Sequence, residues 1–161
     1  MAKVYLGLGS NLGDRAANIK KALQLLESQV AITTVSPLYE TEPVGIKEQP
    51  WFLNAVCAGQ TALDPQALLA FVKGIEKKMG RTPTVRFGPR LIDIDILFYD
   101  DLVLESPTLQ IPHPRLTHRA FVLVPLAQVA PHLVHPCLGL TIREILAQAE
   151  ELGEVRPFEP A

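Results

Sequence analysis

The stretch Pro89-Arg90-Leu91-Ile92-Asp93-Ile94-Asp95-Ile96-Leu97-Phe98-Tyr99 decides how the chain is read. Its β-branched and aromatic content marks a strand, and side chains of a strand alternate between two faces. Ile92, Ile94, Ile96 and Phe98 are therefore expected on one face, with Leu91, Asp93, Asp95, Leu97 and Tyr99 on the other. The two aspartates become neighbours, their α-carbons about 6.6 Å apart at two strand rises. Two readings fit. Either the pair lies on a solvated strand face with Arg90 as ion-pair partner, or the carboxylates converge on one cation or flank a metal pair. Like charges so close repel unless something positive compensates. With no His or Cys beside them, the donors suit a hard ion such as Mg²⁺, which is commonly held by one or two carboxylates together with substrate phosphates.

Just upstream, Arg81, Arg86 and Arg90 fall within ten residues of a Gly/Pro-punctuated loop. Such a cluster is either a solvated basic loop or a set of forks for phosphate oxygens, which guanidinium groups engage bidentately. Placed beside paired carboxylates, it suggests a magnesium polyphosphate site. The usual glycine motifs are lacking. In Gly7-Leu8-Gly9-Ser10-Asn11-Leu12-Gly13 the third glycine falls one position too late for a dinucleotide fingerprint, and no Gly-x-x-x-x-Gly-Lys-Ser/Thr occurs. These glycines read instead as a turn joining strand to helix.

Working outward, residues 3–9 form a strand, and Ile19, Ala22, Leu23 and Leu26 recur at helical spacing. Residues 32–39 read as a strand with an edge or bulge at Pro37, and 53–61 as another. Asp64-Pro65 opens a helix that runs to about Met79 and stops at Gly80. A helix is expected near 119–129, and a last one from Thr141 with Glu144 three positions on, a capping-box pattern. The expected fold is α+β: a ferredoxin-like β-α-β-β-α-β sheet with helices packed on it and a helical C-terminal appendage. At 161 residues, 48% apolar, the chain reads as a single domain, 1–161.

A formal net charge of −2 gives no global field for nucleic acid or an anionic membrane. No apolar run approaches the ~20 residues of a membrane helix, and the first residues show no leader pattern. A cytoplasmic location is expected. Cys57 and Cys137 both read as buried free thiols.

Arg86-Phe87-Gly88-Pro89-Arg90-Leu91-Ile92-Asp93-Ile94-Asp95-Ile96-Leu97 resembles the signature of the hydroxymethyldihydropterin pyrophosphokinase family. Supporting pieces follow in the family's order: Gly9-Ser10-Asn11-Leu12-Gly13-Asp14, Tyr39-Glu40-Thr41-Glu42-Pro43, Gln49 to Ala55, Ile111 to Arg115, and Arg119-Ala120-Phe121. The resemblance implies an ATP-dependent diphosphotransferase of folate biosynthesis, with ATP and a reduced pterin as small-molecule substrates. By position, Asp93 and Asp95 would hold two Mg²⁺ ions, while Arg81 and Arg90 would stabilise the transferring group. Arg86, His113 and Arg119 would hold ATP, with Lys73 and Glu76 lining the nucleotide side. Phe52 and Phe121 would sandwich the pterin, its polar edge read by Asn54 and by the backbone of Thr41, Glu42, Pro43 and Val44.

Several residues keep a second reading. Trp51 competes with Phe52 for the ring, since alternation lets only one face it. Lys73 and Glu76 also fit an exposed i, i+3 ion pair, and His118 reads as a surface loop residue. A monomer or a weak homodimer is expected. Two further functions share the fold: another two-metal enzyme such as a nucleotidyl transferase, and an RNA-binding module. Against the second, strands 3–9 and 53–59 lack paired exposed aromatics for base stacking.

Overall fold

The computed structural model describes residues 1–42, 50–80, 91–149 and 155–158. Its elements are β1 (Ala2–Ser10), α1 (Arg15–Leu26), β2 (Val30–Val35), β3 (Tyr39–Thr41), β4 (Phe52–Thr61), α2 (Pro65–Lys78), β5 (Asp93–Tyr99), β6 (Leu104–Glu105), β7 (Gln110–Ile111), a 3-10 turn (Leu116–His118), α3 (Ala120–Val129), α4 (Ile142–Gln148) and β8 (Val155–Pro157). The antiparallel sheet runs β5-β1-β4, with β2 and β3 both pairing the far edge of β4 and β8 lying outside β3. Taken as β1-α1-β2-β4-α2-β5, it is the expected β-α-β-β-α-β order.

Local chemistry sets the helix ends. Asp14 and Asp64 each accept a hydrogen bond from the N–H three residues on, from Ala17 at 3.1 Å and Ala67 at 2.8 Å. α2 ends where Gly80 takes φ +88°, a conformation open to glycine. Thr141 and Glu144 complete the capping box of α4. α1 and α2 bury Ile19, Ala22, Leu26, Leu68, Val72 and Ile75 against one sheet face, where Val4, Leu6, Leu8, Ile92, Ile94 and Ile96 meet them. α3 and α4 cover part of the opposite face through Leu123, Leu126, Ile142 and Ile145, packed on Tyr5, Val56, Leu97 and Phe98. The sheet is thus the middle of three layers.

Five departures from the sequence reading have physical causes. The strand expected over 32–39 is two strands separated at Ser36-Pro37-Leu38. Pro37 has no N–H for the ladder, and Ser36 replaces the lost pairing: its N–H donates to the Val56 carbonyl at 2.8 Å and its Oγ accepts from Val56 N–H at 2.9 Å. Phe98 lies on the opposite face from the isoleucines, because the β1–β5 register shifts between Tyr5 and Leu6. That bulge absorbs Leu97 and reverses the alternation after it. Phe98 then packs edge-on against Tyr5 and His135, and Tyr99 joins the α1/α2 side with its hydroxyl donating to the Leu63 carbonyl at 2.7 Å.

Gly7 and Gly9 lie inside β1, and only Gly13, at φ +65°, makes the turn. The C-terminal appendage carries a strand, β8, besides its helix, and a small β6–β7 ribbon also forms. Cys57 is buried as expected, but Cys137 is exposed. His135 Nδ1 accepts the N–H groups of both Cys137 and Leu138, a tight turn that leaves the thiol outside.

Burial pushes the Cys57 thiol up to about 12, so it stays protonated and unreactive in the folded chain. A thiol reagent at pH 8 is expected to modify Cys137 alone in the native protein and both cysteines in denaturant. Native labelling of Cys57 at the rate seen in denaturant would contradict this packing.

Candidate active site

The site is built on the face of the sheet that carries the aspartates. Gly9 pairs with Asn54 on one side and Asp93 on the other; Gly7 pairs with Val56 and Asp95. Directly opposed residues point to the same face. Two rows therefore cross the sheet, Asp93-Gly9-Asn54 and Asp95-Gly7-Val56, each with glycine in the middle. Neighbouring strands are about 4.8 Å apart, so the outer residues of a row bracket a trough about 9.6 Å wide at the backbone. A β-carbon on Gly9 would lie 2.8 Å from Asn54 Oδ1 and 3.5 Å from Phe52 Cδ1. Both side chains lean over the bare strand. At Gly7 the nearest atoms to the same addition would be those of the Leu97 side chain, at an ordinary 3.6 Å. Gly9 is the position where absence of a side chain is required.

On the β5 wall, Asp93 and Asp95 are half-buried. Burial, followed by the neighbouring Asp93 charge, pushes Asp95 up to about 7, while the charges of Arg119 and Lys73 draw it down. Arg119 stands at the start of α3, with its guanidinium 5.3 Å from the Phe121 ring centroid. His113 is tied to the same wall, its N–H donating to the Leu97 carbonyl at 3.0 Å. Burial, then the charges of Arg119 and Arg115, hold its imidazole down at about 4, so it is neutral at physiological pH. Its Nδ1 accepts from Arg115 N–H at 3.2 Å, which leaves Nε2 carrying the proton as a donor. His118 is exposed, as expected of a surface loop residue.

Glu76 is not an exposed residue, and its charge is among those that push Asp95 up. It is buried at 1% exposure, its Oε2 accepting the Ile94 N–H at 2.8 Å, while Oε1 lies 3.3 Å from Lys73 Nζ. Ile94 sits between the two aspartates, so Glu76 pins β5 at the residue from which both carboxylates diverge. The i, i+3 pair with Lys73 exists, but only Lys73 is at the surface.

On the β4 wall, Asn54 Nδ2 donates to Thr41 Oγ1 at 2.6 Å, both residues being buried. This bond fixes the amide with Oδ1 toward Gly9. Phe52 takes the trough side; Trp51 is instead overlaid by the Arg156 guanidinium, 4.4 Å from its ring centroid. α3 packs against β4 and brings the half-buried Phe121 to the same face. Glu42, just beyond β3, is half-buried. Pro43, Val44, Arg81, Arg86 and Arg90 lie outside the described residues. A separate cavity of about 240 Å³, between the β6–β7 ribbon and the His135–Leu138 turn, shares His113 with the site.

Among the described residues no group of three His, Cys, Asp or Glu side chains could hold a metal. The donors are two carboxylates, one pushed toward its neutral form by burial and then by the charge of the other. That set fits a hard cation which completes its coordination with water and substrate oxygens, as Mg²⁺ does. The glycine floor was not foreseen as such; its signal is the Gly-x-Gly alternation at the end of a strand whose neighbours carry the polar residues.

The 7,8-dihydro-6-hydroxymethylpterin-pyrophosphokinase (HPPK) family model matches residues 5–131. The chain is 44% identical to the 2-amino-4-hydroxy-6-hydroxymethyldihydropteridine pyrophosphokinase of Aquifex aeolicus, over 98% of this chain and 96% of that protein. It is 43% identical to the folic acid synthesis protein of Dictyostelium discoideum, covering 98% of this chain but 24% of that relative, so it spans about a quarter of the longer protein. A Plasmodium falciparum HPPK-DHPS crystal structure shares the fold at a TM-score of 0.75 and 20% identity, over 91% of this chain and 43% of that one.

Replacing Glu76 by Ala orphans the buried Ile94 N–H, and denaturant unfolding is expected to show a loss of about 1–3 kcal/mol. Glu76→Gln retains a carbonyl acceptor and is expected to lose less. Equal losses would show that charge, not the hydrogen bond, holds β5.

Proposed function

We propose, from the premise that this chain belongs to the 7,8-dihydro-6-hydroxymethylpterin-pyrophosphokinase family, that it transfers a pyrophosphoryl group from ATP to the hydroxymethyl oxygen of 6-hydroxymethyl-7,8-dihydropterin. The alcohol oxygen forms a bond to the β-phosphorus, the bond from that phosphorus to the AMP oxygen breaks, and the hydroxyl proton is released. The observation that carries this reading is the Asp93-Gly9-Asn54 row. It sets a carboxylate wall for a magnesium triphosphate across a bare strand from an amide and aromatic wall for a flat heterocycle.

In this reading Asp93 and Asp95 hold Mg²⁺, two ions by the family pattern. The cation, when bound, neutralises the triphosphate and favours charge transfer to the departing AMP. Arg119 supplies positive charge at the junction of the two walls. Neutral His113 offers Nε2–H to the nucleotide without adding charge. Arg81, Arg86 and Arg90 engage the phosphates, and Lys73 borders the nucleotide side. Glu76 acts there through β5. Phe52 and Phe121 bracket the pterin ring. Asn54 and the backbone of Thr41, Glu42, Pro43 and Val44 read its amide and amine edge, as buried polar groups discriminate strongly between substrates. Catalysis is then positioning plus charge neutralisation, with no histidine taking a proton.

The protein works in the cytoplasm as a monomer or weak homodimer in this reading. Among the described residues no helix is long and apolar enough to cross a membrane. An RNA-binding role is disfavoured because α3 and α4 cover part of the sheet face that such modules leave open.

Incubated with ATP, Mg²⁺ and the hydroxymethyl pterin, the protein is expected to form AMP and pterin diphosphate, and AMP only when the pterin is present. ADP, free pyrophosphate or no turnover would overturn the proposal. Chelating the metal should stop turnover reversibly. Asp95→Ala should lower kcat about 10³-fold, the equivalent of about 4 kcal/mol of lost charge stabilisation, with a wild-type unfolding transition. Near-normal kcat in that variant would place the cation elsewhere.

A further inference from the structure

Beside the trough, two arginines far apart in sequence hold Trp51 and share one carboxylate, that of Glu40. Arg15, at the start of α1, donates through one Nη to the Trp51 carbonyl and through the other to Glu40 Oε2, both at 2.9 Å. Arg156, on β8, donates through Nε to Glu40 Oε1 at 3.1 Å and stacks on the Trp51 indole at 4.4 Å. One carboxylate is thus divided between two guanidinium groups, and one tryptophan is held at both its carbonyl and its ring. Isolated surface ion pairs contribute little, but forked pairs organised in a network are the exception. Here the side chains of Glu40 and Arg15 retain only 20% and 22% exposure.

The clasp lies directly against the pterin wall. Glu40 precedes Thr41, whose hydroxyl fixes the Asn54 amide. Trp51 precedes Phe52, and its carbonyl belongs to the same planar peptide as the Phe52 N–H, so holding one orients the other. β8 reinforces the arrangement by pairing along β3, Arg156 opposite Glu40 and Val155 opposite Thr41. Phe158 continues it, its N–H donating to the Leu38 carbonyl at 3.0 Å while its ring lies 5.4 Å beneath the Arg15 guanidinium.

We infer that Arg15, Glu40 and Arg156 are positioning residues for the pterin: they lock the Trp51–Phe52 peptide and β3 so that the Phe52 ring and the Thr41-fixed Asn54 amide are ready before substrate arrives. The inference rests on the pyrophosphokinase reading. Pre-organisation of this kind improves affinity by removing ordering cost, and affects the chemical step little. Among the described residues these three side chains bond to one another, to Trp51 and to Phe158, so the effect is expected on the pterin side.

Trp51 is the only tryptophan of the chain, so its fluorescence reports the clasp independently of activity. In Arg156→Ala and Glu40→Ala, acrylamide quenching of Trp51 should rise about twofold. Pterin KM should rise about tenfold, with kcat and the KM for ATP within twofold of wild type. The double variant should be no worse than threefold beyond the weaker single variant, because both residues act through one device. Unchanged pterin KM despite a more accessible Trp51 would overturn the inference, as would a loss expressed in kcat. Failure of the wild-type protein to make AMP from ATP and the pterin would overturn the pyrophosphokinase reading and this inference with it; turnover by wild type with unaltered variants would overturn this inference alone.

Discussion

The site depends on one feature of β1: it offers glycine at both positions between the polar residues of β5 and β4, and at Gly9 a side chain would collide with the Asn54 amide. Gly9 is opposed by Asp93 and Asn54, Gly7 by Asp95 and Val56, and antiparallel pairing fixes those partners. A shift of one residue would turn every side chain on β1 to the wrong face. The apolar residues Val4, Leu6 and Leu8 forbid that shift by anchoring the other face against α1 and α2. The core therefore sets the register of the site, and the binding walls cost no separate ordering step.

Charge is balanced around this floor by elements from both sides of the sheet. Asp95 is pushed up by burial and by Asp93, and the positive groups that oppose this come from α2, through Lys73, and from the start of α3, through Arg119. Glu76 adds a third carboxylate nearby, yet its hydrogen bond to Ile94 and its pair with Lys73 give it a mechanical use. Among the described residues the result is a wall of paired carboxylates flanked by Lys73 and Arg119, facing a neutral wall of Phe52 and Asn54. In the proposed reading the first wall takes a magnesium polyphosphate and the second a neutral heterocycle.

Period-two alternation in 91–96 was enough to separate the isoleucines from Asp93 and Asp95, helical spacing located α1, and capping residues located α2 and α4 closely. Alternation failed at Phe98, since a bulge is a property of a strand pair and leaves no mark on one strand alone. Gly7 and Gly9 looked like turn glycines because their importance comes from what stands opposite on β4 and β5. Asn54 was named only through the family resemblance, as was its partner Thr41, the latter for its backbone. Arg15, Glu40 and Arg156 were invisible as a group: Glu40 and Arg156 are 116 positions apart and meet only through β3–β8 pairing. Cys137 went wrong because composition favours burial of thiols, whereas the local His135 turn decides its exposure.

The central claim is that the carboxylates of β5 and the amide of β4 face a single trough across Gly7 and Gly9. Paramagnetic broadening by Mn²⁺, titrated with a non-hydrolysable ATP analogue into isotope-labelled protein, tests it most directly. The expected result is selective loss of the Gly7, Gly9 and Asp95 backbone signals and of the Asn54 side-chain amide, with Thr61 at the far end of β4 unaffected. Broadening centred away from Gly7 and Gly9, or an Asn54 side-chain amide untouched while Asp95 is lost, would contradict it.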